Sequence, residues 1–216
     1  PFKYSIKNIE EKLENKKELA ERFGLKYDEQ IPIIGLISRL YDSKGIDLVQ
    51  KAFNDLMKLD IQFIVLGTGD QKYHTFFDKM ASKNSKKFAS YLGFNDELAH
   101  LIEAGADMFL MPSKYEPCGL NQMYSLAYGT VPIVRETGGL ADTVVKFNEK
   151  TDEGTGFVFK KYDSEEMIKE IKRAVKVFED KKTWQKIMRA GMKLDFSWDV
   201  SAKGYIELYK TILSAE

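Results

Sequence analysis

Short apolar runs alternate along the chain with longer stretches in which apolar residues recur every three or four positions. Apolar runs at 31–37, 61–66, 88–92, 108–111, 131–134 and 156–159 predict about six strands. Between them, 46–57, the segment around Phe76, Phe77 and Met80, 96–104 and 120–128 carry helical periodicity. Such alternation implies βαβ units, and hence a single α/β, Rossmann-like domain whose mainly parallel sheet is covered by helices on both faces. The tail is all helical, at 164–178, 183–192 and 200–213, and 148–154 is the clearest loop. In the last of these helices Trp198, Tyr205, Leu208, Tyr209 and Ile212 form an apolar stripe that needs a partner surface. Near the start, 9–23 sets Leu13, Leu19 and Phe23 among many Lys and Glu and stops at Gly24, which predicts an exposed, peripheral helix.

Composition narrows what such a domain can contact. At 216 residues the chain can bury one full core. Its 33 basic residues balance 33 acidic ones, so no global field attracts nucleic acid or an anionic membrane. Any charge selectivity is local. A single cysteine excludes an internal disulfide framework and suits a reducing compartment, so a cytoplasmic location is expected. No apolar run approaches the roughly 20 residues that span a bilayer. The first residue is Pro1, from which we expect a piece of a longer protein.

In an open parallel sheet the ligand lies beyond the carboxyl ends of the strands. The loops to weigh are therefore 38–45, 67–70, 93–95, 113–119 and 135–139. In the first, Arg39 and Lys44 could hold a phosphate pair between a planar fork and a point charge, or be two solvated cations. Gly67-Thr68-Gly69 lacks the third glycine of a dinucleotide fingerprint, so a plain strand-to-helix turn with Asp70 as N-cap serves better than an NAD site. Glu116-Pro117-Cys118-Gly119-Leu120 runs into a helix start, where free N–H groups favour an anion. Glu116 could bond sugar hydroxyls or merely cap that helix. Cys118 has neither His74 nor His100 near it in sequence, which disfavours a Cys–His mechanism, and the sequence holds no metal-ligand constellation. Thr137-Gly138-Gly139 forms a second glycine turn able to face the same ligand, and Phe94 could stack on a base or belong to the core.

Together, Ser38-Arg39-Leu40 with Lys44-Gly45, Gly105-Ala106-Asp107 with Met111-Pro112-Ser113, Glu116-Pro117-Cys118-Gly119-Leu120, and Thr137-Gly138-Gly139-Leu140-Ala141-Asp142-Thr143-Val144 resemble the C-terminal, nucleotide-sugar-binding half of bacterial glycogen synthase and starch synthase. The resemblance runs from about Leu25 onward. It implies one half of a GT-B fold and transfer of glucose from ADP-glucose, or UDP-glucose in some members, to the non-reducing end of an α-1,4-glucan with retention. It implies no cofactor and no metal.

The same resemblance assigns roles. Arg39 and Lys44 would hold the diphosphate and stabilise it as leaving group, and Glu116 would engage the glucosyl unit; these three form the catalytic set. Cys118, Gly119, Leu120, Asn121, Thr137, Gly138 and Gly139 would line the donor, and Phe94 would stack on adenine. The wider family's Glu-x7-Glu pattern is broken here by Tyr124, so no second acid is assigned. The domain expectation is a helical lead-in at 1–24 within the same domain, a donor-binding domain at 25–196, and a helix at 197–216 crossing toward an N-terminal domain that this chain does not contain. That domain would bring the glucan acceptor, so the isolated chain is expected to bind ADP or ADP-glucose and transfer nothing. The alternative is a stand-alone nucleotide or phosphate-sugar binding module without catalysis.

Overall fold

The computed structural model describes residues 2–214; the domain expectations at 1, 215 and 216 lie outside them. Six parallel strands form one sheet: β1 (Ile33–Leu40), β2 (Gln62–Gly69), β3 (Phe88–Leu92), β4 (Met108–Met111), β5 (Val131–Arg135) and β6 (Phe157–Phe159). Their order across the sheet is β3-β2-β1-β4-β5-β6, so the chain winds outward to one edge, returns beside β1 and winds to the other. This is the doubly wound order, and the reversal falls between β1 and β4.

Burial on both faces explains why the strands read as apolar runs. On one face Phe63, Val65, Leu110, Ile133 and Phe157 pack against α2 (Ile46–Lys58), α3 (Gln71–Lys83), α7 (Ser164–Phe178) and α8 (Lys181–Met192), through Phe53, Phe77, Ile171 and Trp184 among others. On the opposite face Ile33, Ile64, Leu66 and Phe109 meet α1 (Lys12–Arg22) and α4 (Asp96–Gly105) through Leu19, Ala20, Leu101 and Ile102. Val134 and Val158 continue that second face under α6 (Gly138–Thr143). The short α5 (Asn121–Ala127) follows the loop after β4.

The lead-in helix is not peripheral, contrary to the expectation. Leu19 and Ala20 are fully buried, and so are two lysines, Lys12 at 4% and Lys16 at 1% exposure. Lys16 Nζ pairs with Asp107 at 3.0 Å, while Asp107 also accepts the Ile33 N–H and so ties the helix to the start of β1. Lys12 Nζ donates to the Glu103 and Ala104 carbonyls at 3.1 and 2.6 Å, closing off the carboxyl end of α4. Its burial pulls the ammonium down to about 7. Nearby, burial pushes the Glu103 carboxyl up to about 8, although Ser125 Oγ donates to it at 2.7 Å. Charged residues in this segment mark internal contacts because backbone carbonyls and Asp107 satisfy them. The last helix, α9 (Trp198–Leu213), is the reverse case, since none of its residues is buried.

Candidate active site

The reversal in strand order leaves a crevice above the carboxyl ends of β1 and β4, the place where open α/β sheets take ligands. Arg39 nearly closes β1, and Lys44 ends the 3-10 turn Asp42–Lys44 that follows. Gly45 then turns with φ of 75°, and an added Cβ would stand 2.1 Å from the Pro112 carbonyl oxygen in the loop after β4. The two loops are further joined by the Lys114 N–H, which donates to the Ser43 carbonyl at 3.0 Å. Asp42 accepts from Lys72 Nζ at 2.7 Å and from the Tyr73 hydroxyl, and these bonds hold its carboxyl below the usual range. Tyr162 bonds the Asp42 carbonyl at 2.9 Å from the far side. The cation-bearing turn is thus held from three directions.

Glu116 enters from the other half of the sheet. Its Oε2 accepts from Lys44 Nζ at 2.6 Å, a contact that spans 72 residues of sequence, and from Ser113 Oγ at 3.0 Å. The pair is mostly buried, with Lys44 20% and Glu116 10% exposed in their side chains. Arg39 is exposed and, among the described residues, its guanidinium makes no ion pair or hydrogen bond. One cation therefore shares its charge with a carboxylate while the other is open to an anion.

Backbone contacts set the carboxylate loop. Arg135, at the end of β5, donates through Nε to the Ser113 carbonyl at 2.8 Å and through Nη2 to that of Lys114. Gly119 adopts φ of 74°, and the buried Gln122 beneath it donates through Nε2 to the Cys118 and Gly119 carbonyls at 3.0 and 3.2 Å. The second glycine turn touches the first: the Gly139 N–H donates to the Glu116 carbonyl at 3.1 Å, and a Cβ on Gly138 or Gly139 would stand 2.2 or 2.0 Å from the carbonyls of Glu116 and Cys118. Two backbones approach here to a distance that side chains forbid.

Between these loops lies a cavity of about 200 Å³, lined by Ser38, Arg39, Lys44, Ser113, Glu116, Gly119, Leu120 and Asn121 among others. Asn121 is fixed there by a bond from Nδ2 to the Ile37 carbonyl at 3.0 Å. Five expected residues do not line it. Cys118, exposed, and Thr137, Gly138 and Gly139 sit one backbone layer away, and Phe94, 86% exposed, stands on the loop after β3. The volume suits a phosphate group or one sugar ring, below the roughly 300–1,000 Å³ of sites that enclose a whole ligand. Sequence reasoning missed Ser113 and Gln122, which bond Glu116 and the Cys118 and Gly119 carbonyls within their own loop, and Arg135 and Tyr162, whose partners lie in other segments. Only Arg135, a lone cation ending an apolar strand, carried a local signal.

The sequence profile described as "Glycosyl transferases group 1" matches residues 16–191, most of the chain and all the loops just described. The chain belongs to this family. Within the group 1 glycosyl transferases it is 48% identical over 210 residues to a glycogen synthase of Bacillus cereus (strain B4264), covering 97% of this chain and 44% of that protein. To the glycogen synthase of Pseudothermotoga lettingae it is 49% identical over 211 residues, covering 97% and 43%. Among solved structures, the catalytic domain of starch synthase IV from Arabidopsis thaliana, bound to ADP and acarbose, matches with a TM-score of 0.89 at 33% identity, over 98% of this chain and 45% of that one. WaaG, a glycosyltransferase involved in lipopolysaccharide biosynthesis, matches with a TM-score of 0.65 at 17% identity and shares the fold alone. This glycosyl transferase chain thus spans less than half the length of the curated relatives it matches. The likeness to glycogen and starch synthases read from its motifs stands. Among the described residues no helix is long and apolar enough to cross a membrane.

Proposed function

We propose that this chain is the donor-binding half of a glycogen or starch synthase that transfers glucose from ADP-glucose to the non-reducing end of an α-1,4-glucan with retention. One observation carries the reading. Arg39, Lys44 and Glu116 meet around a cavity at the strand reversal of a chain 48% identical to a glycogen synthase. Leaving of ADP from the sugar carbon adds negative charge to the diphosphate, and two fixed cations placed there before reaction stabilise that charge without reorganisation. Arg39 offers the open fork and Lys44 the point charge. Glu116, once Lys44 turns toward phosphate, presents a carboxylate to sugar hydroxyls. The departing phosphate itself helps to deprotonate the acceptor hydroxyl as it arrives on the same face. Cys118 and the Thr137–Gly139 turn border the sugar and phosphate region, and Phe94 offers its exposed ring to adenine.

The donor domain comprises 25–196, with 2–24 folded into it. From 197 onward the chain serves a second domain: Trp198, Tyr205, Leu208, Tyr209 and Ile212 are exposed on α9, and apolar faces of this size seek partners. That second domain brings the glucan acceptor and closes the cleft. The relatives' remaining length supplies room for it, which favours this reading over a stand-alone binding module. ADP bound to the starch synthase IV catalytic domain supports an adenine donor over a uracil one.

Calorimetric titration with ADP-glucose, UDP-glucose and NAD tests the proposal. ADP-glucose binds best and NAD does not bind; preference for NAD would overturn the donor assignment. Glucan elongation by the isolated chain would overturn the claim that the site is half-built.

A further inference from the structure

The Gly67-Thr68-Gly69 turn is built differently from the plain capped turn that its sequence implies. Asp70 does occupy the N-cap of α3, but its side chain accepts no capping hydrogen bond. His74, one turn into the helix, reaches back instead. The Gly69 N–H donates to His74 Nε2 at 3.1 Å, and Thr68 Oγ1 stands 3.4 Å from the same nitrogen. An N–H can be accepted only by a ring nitrogen with a free lone pair, so this bond requires the Nδ1–H tautomer.

That bond fixes a turn pressed hard against β1. A Cβ on Gly67 would stand 1.9 Å from the Ser38 carbonyl oxygen, and one on Gly69 would stand 2.4 Å from that of Leu40. The Asp70 N–H also donates to the Leu40 carbonyl at 3.0 Å. Between Ser38 and Leu40 lies Arg39, in register with Thr68, so the two side chains leave the sheet on one face. Because the Arg39 guanidinium has no partner among the described residues, its backbone alone decides where it stands.

We propose that His74 is a positioning residue for the diphosphate site: its neutral ring locks the Gly67–Asp70 turn on which the Arg39 backbone rests. The inference depends on Arg39 being a diphosphate ligand, as proposed above. His74 touches no reacting atom; it sets the point from which Arg39 reaches.

Two variants and a spectrum test it. In a ¹⁵N-labelled chain at pH 8, His74 shows an unprotonated Nε2 and a protonated Nδ1. His74→Leu removes the acceptor at similar volume, whereas His74→Gln keeps an oxygen close to the Nε2 position. Titrated with ADP-glucose, His74→Leu binds roughly three- to tenfold more weakly, the scale of one lost hydrogen bond. His74→Gln stays within about twofold of the parent, since it restores that single bond. A proton found on Nε2, a His74→Leu affinity equal to the parent's, or an equal loss in both variants would each overturn the proposal. Should the parent chain bind no ADP-glucose, the diphosphate reading fails instead, and the tautomer together with the Gly69 amide shift in the two variants still decides whether the clamp exists.

Discussion

Removing Lys44 should damage stability and binding together, whereas removing Arg39 should damage binding alone. Lys44→Met strips Glu116 of its ion-pair partner and leaves a mostly buried carboxylate with only the Ser113 hydroxyl. Breaking a fully buried pair costs about 3–5 kcal/mol; with a fifth of the Lys44 side chain still in solvent, about 2–3 kcal/mol is the fitting range. For a domain of this size that lowers the melting temperature by about 4–12 °C. Arg39→Met disturbs no native partner and should stay within about 0.5 kcal/mol of the parent. If the proposed site holds, each variant should lose a charge-assisted bond to diphosphate, worth on the order of 1–3 kcal/mol, or roughly 5- to 150-fold in ADP affinity. The Lys44 loss is the deeper of the two, because an unpaired Glu116 then faces the anion. The double variant Lys44→Met with Glu116→Gln removes that stranded charge and should recover at least about 1 kcal/mol of stability over Lys44→Met alone. Calorimetric melting and ADP titration of the parent, Lys44→Met, Glu116→Gln and the double variant supply the cycle, with Arg39→Met measured beside them. Strict additivity, or an Arg39→Met protein as unstable as Lys44→Met, would refute the reasoning.

Further outcomes follow from other parts of the structure. Gly139→Ala, whose Cβ would sit 2.0 Å from the Cys118 carbonyl, should cost more than about 2 kcal/mol, whereas Gly24→Ala, with φ of 66° in open space, should cost about 1–2 kcal/mol; chemical denaturation compares them. Glu103, raised to about 8 from 4.5, binds its proton more tightly folded than unfolded. Its contribution to stability is therefore complete below about pH 4.5 and is lost as pH rises through about 8. Relative to Glu103→Gln the parent should thus lose melting temperature steadily from pH 5 to 8, and a flat difference would contradict the burial. Lys12, lowered to about 7, works the other way above that pH, which is why the variant difference is the quantity to read. Truncation after Asp195 should leave the melting temperature within about 1 °C, since α9 contributes no buried residue.

The strands were legible because burial on both faces leaves no polar alternation to obscure them. β1 nonetheless runs to Leu40, past the end of its apolar run, because Ser38 and Arg39 continue the ladder opposite Gly67 and Thr68. Backbone pairing of polar residues leaves no hydrophobic trace. The lead-in helix was misread for a related reason: Lys12 and Lys16 look like surface charge until the carboxyl end of α4 and Asp107 arrive to receive them. In the site, Arg39, Lys44, Glu116, Gly119, Leu120 and Asn121 fell together at one strand reversal, whereas Cys118, Phe94 and the Thr137–Gly139 turn did not line the cavity. Gln122 and His74, which support the first group, did not show, because they act on main-chain groups, and main-chain groups are the same in every sequence.

The ladder itself is uneven. β1 and β2 are joined over eight register positions, but β1 and β4 over only two, Ile34 with Met108 and Gly35 with Phe109. The crevice that holds Arg39, Lys44 and Glu116 stands above that thinnest seam. The sheet is thus two three-stranded leaves sharing a short seam, and the fewest backbone bonds resist their separation there. A diphosphate gripping one leaf through Arg39 and Lys44, and a sugar held from the other through Glu116, would then stitch the seam shut. Occupancy should slow hydrogen exchange most in the middle of the sheet, in proportion to affinity rather than to the number of atoms touched.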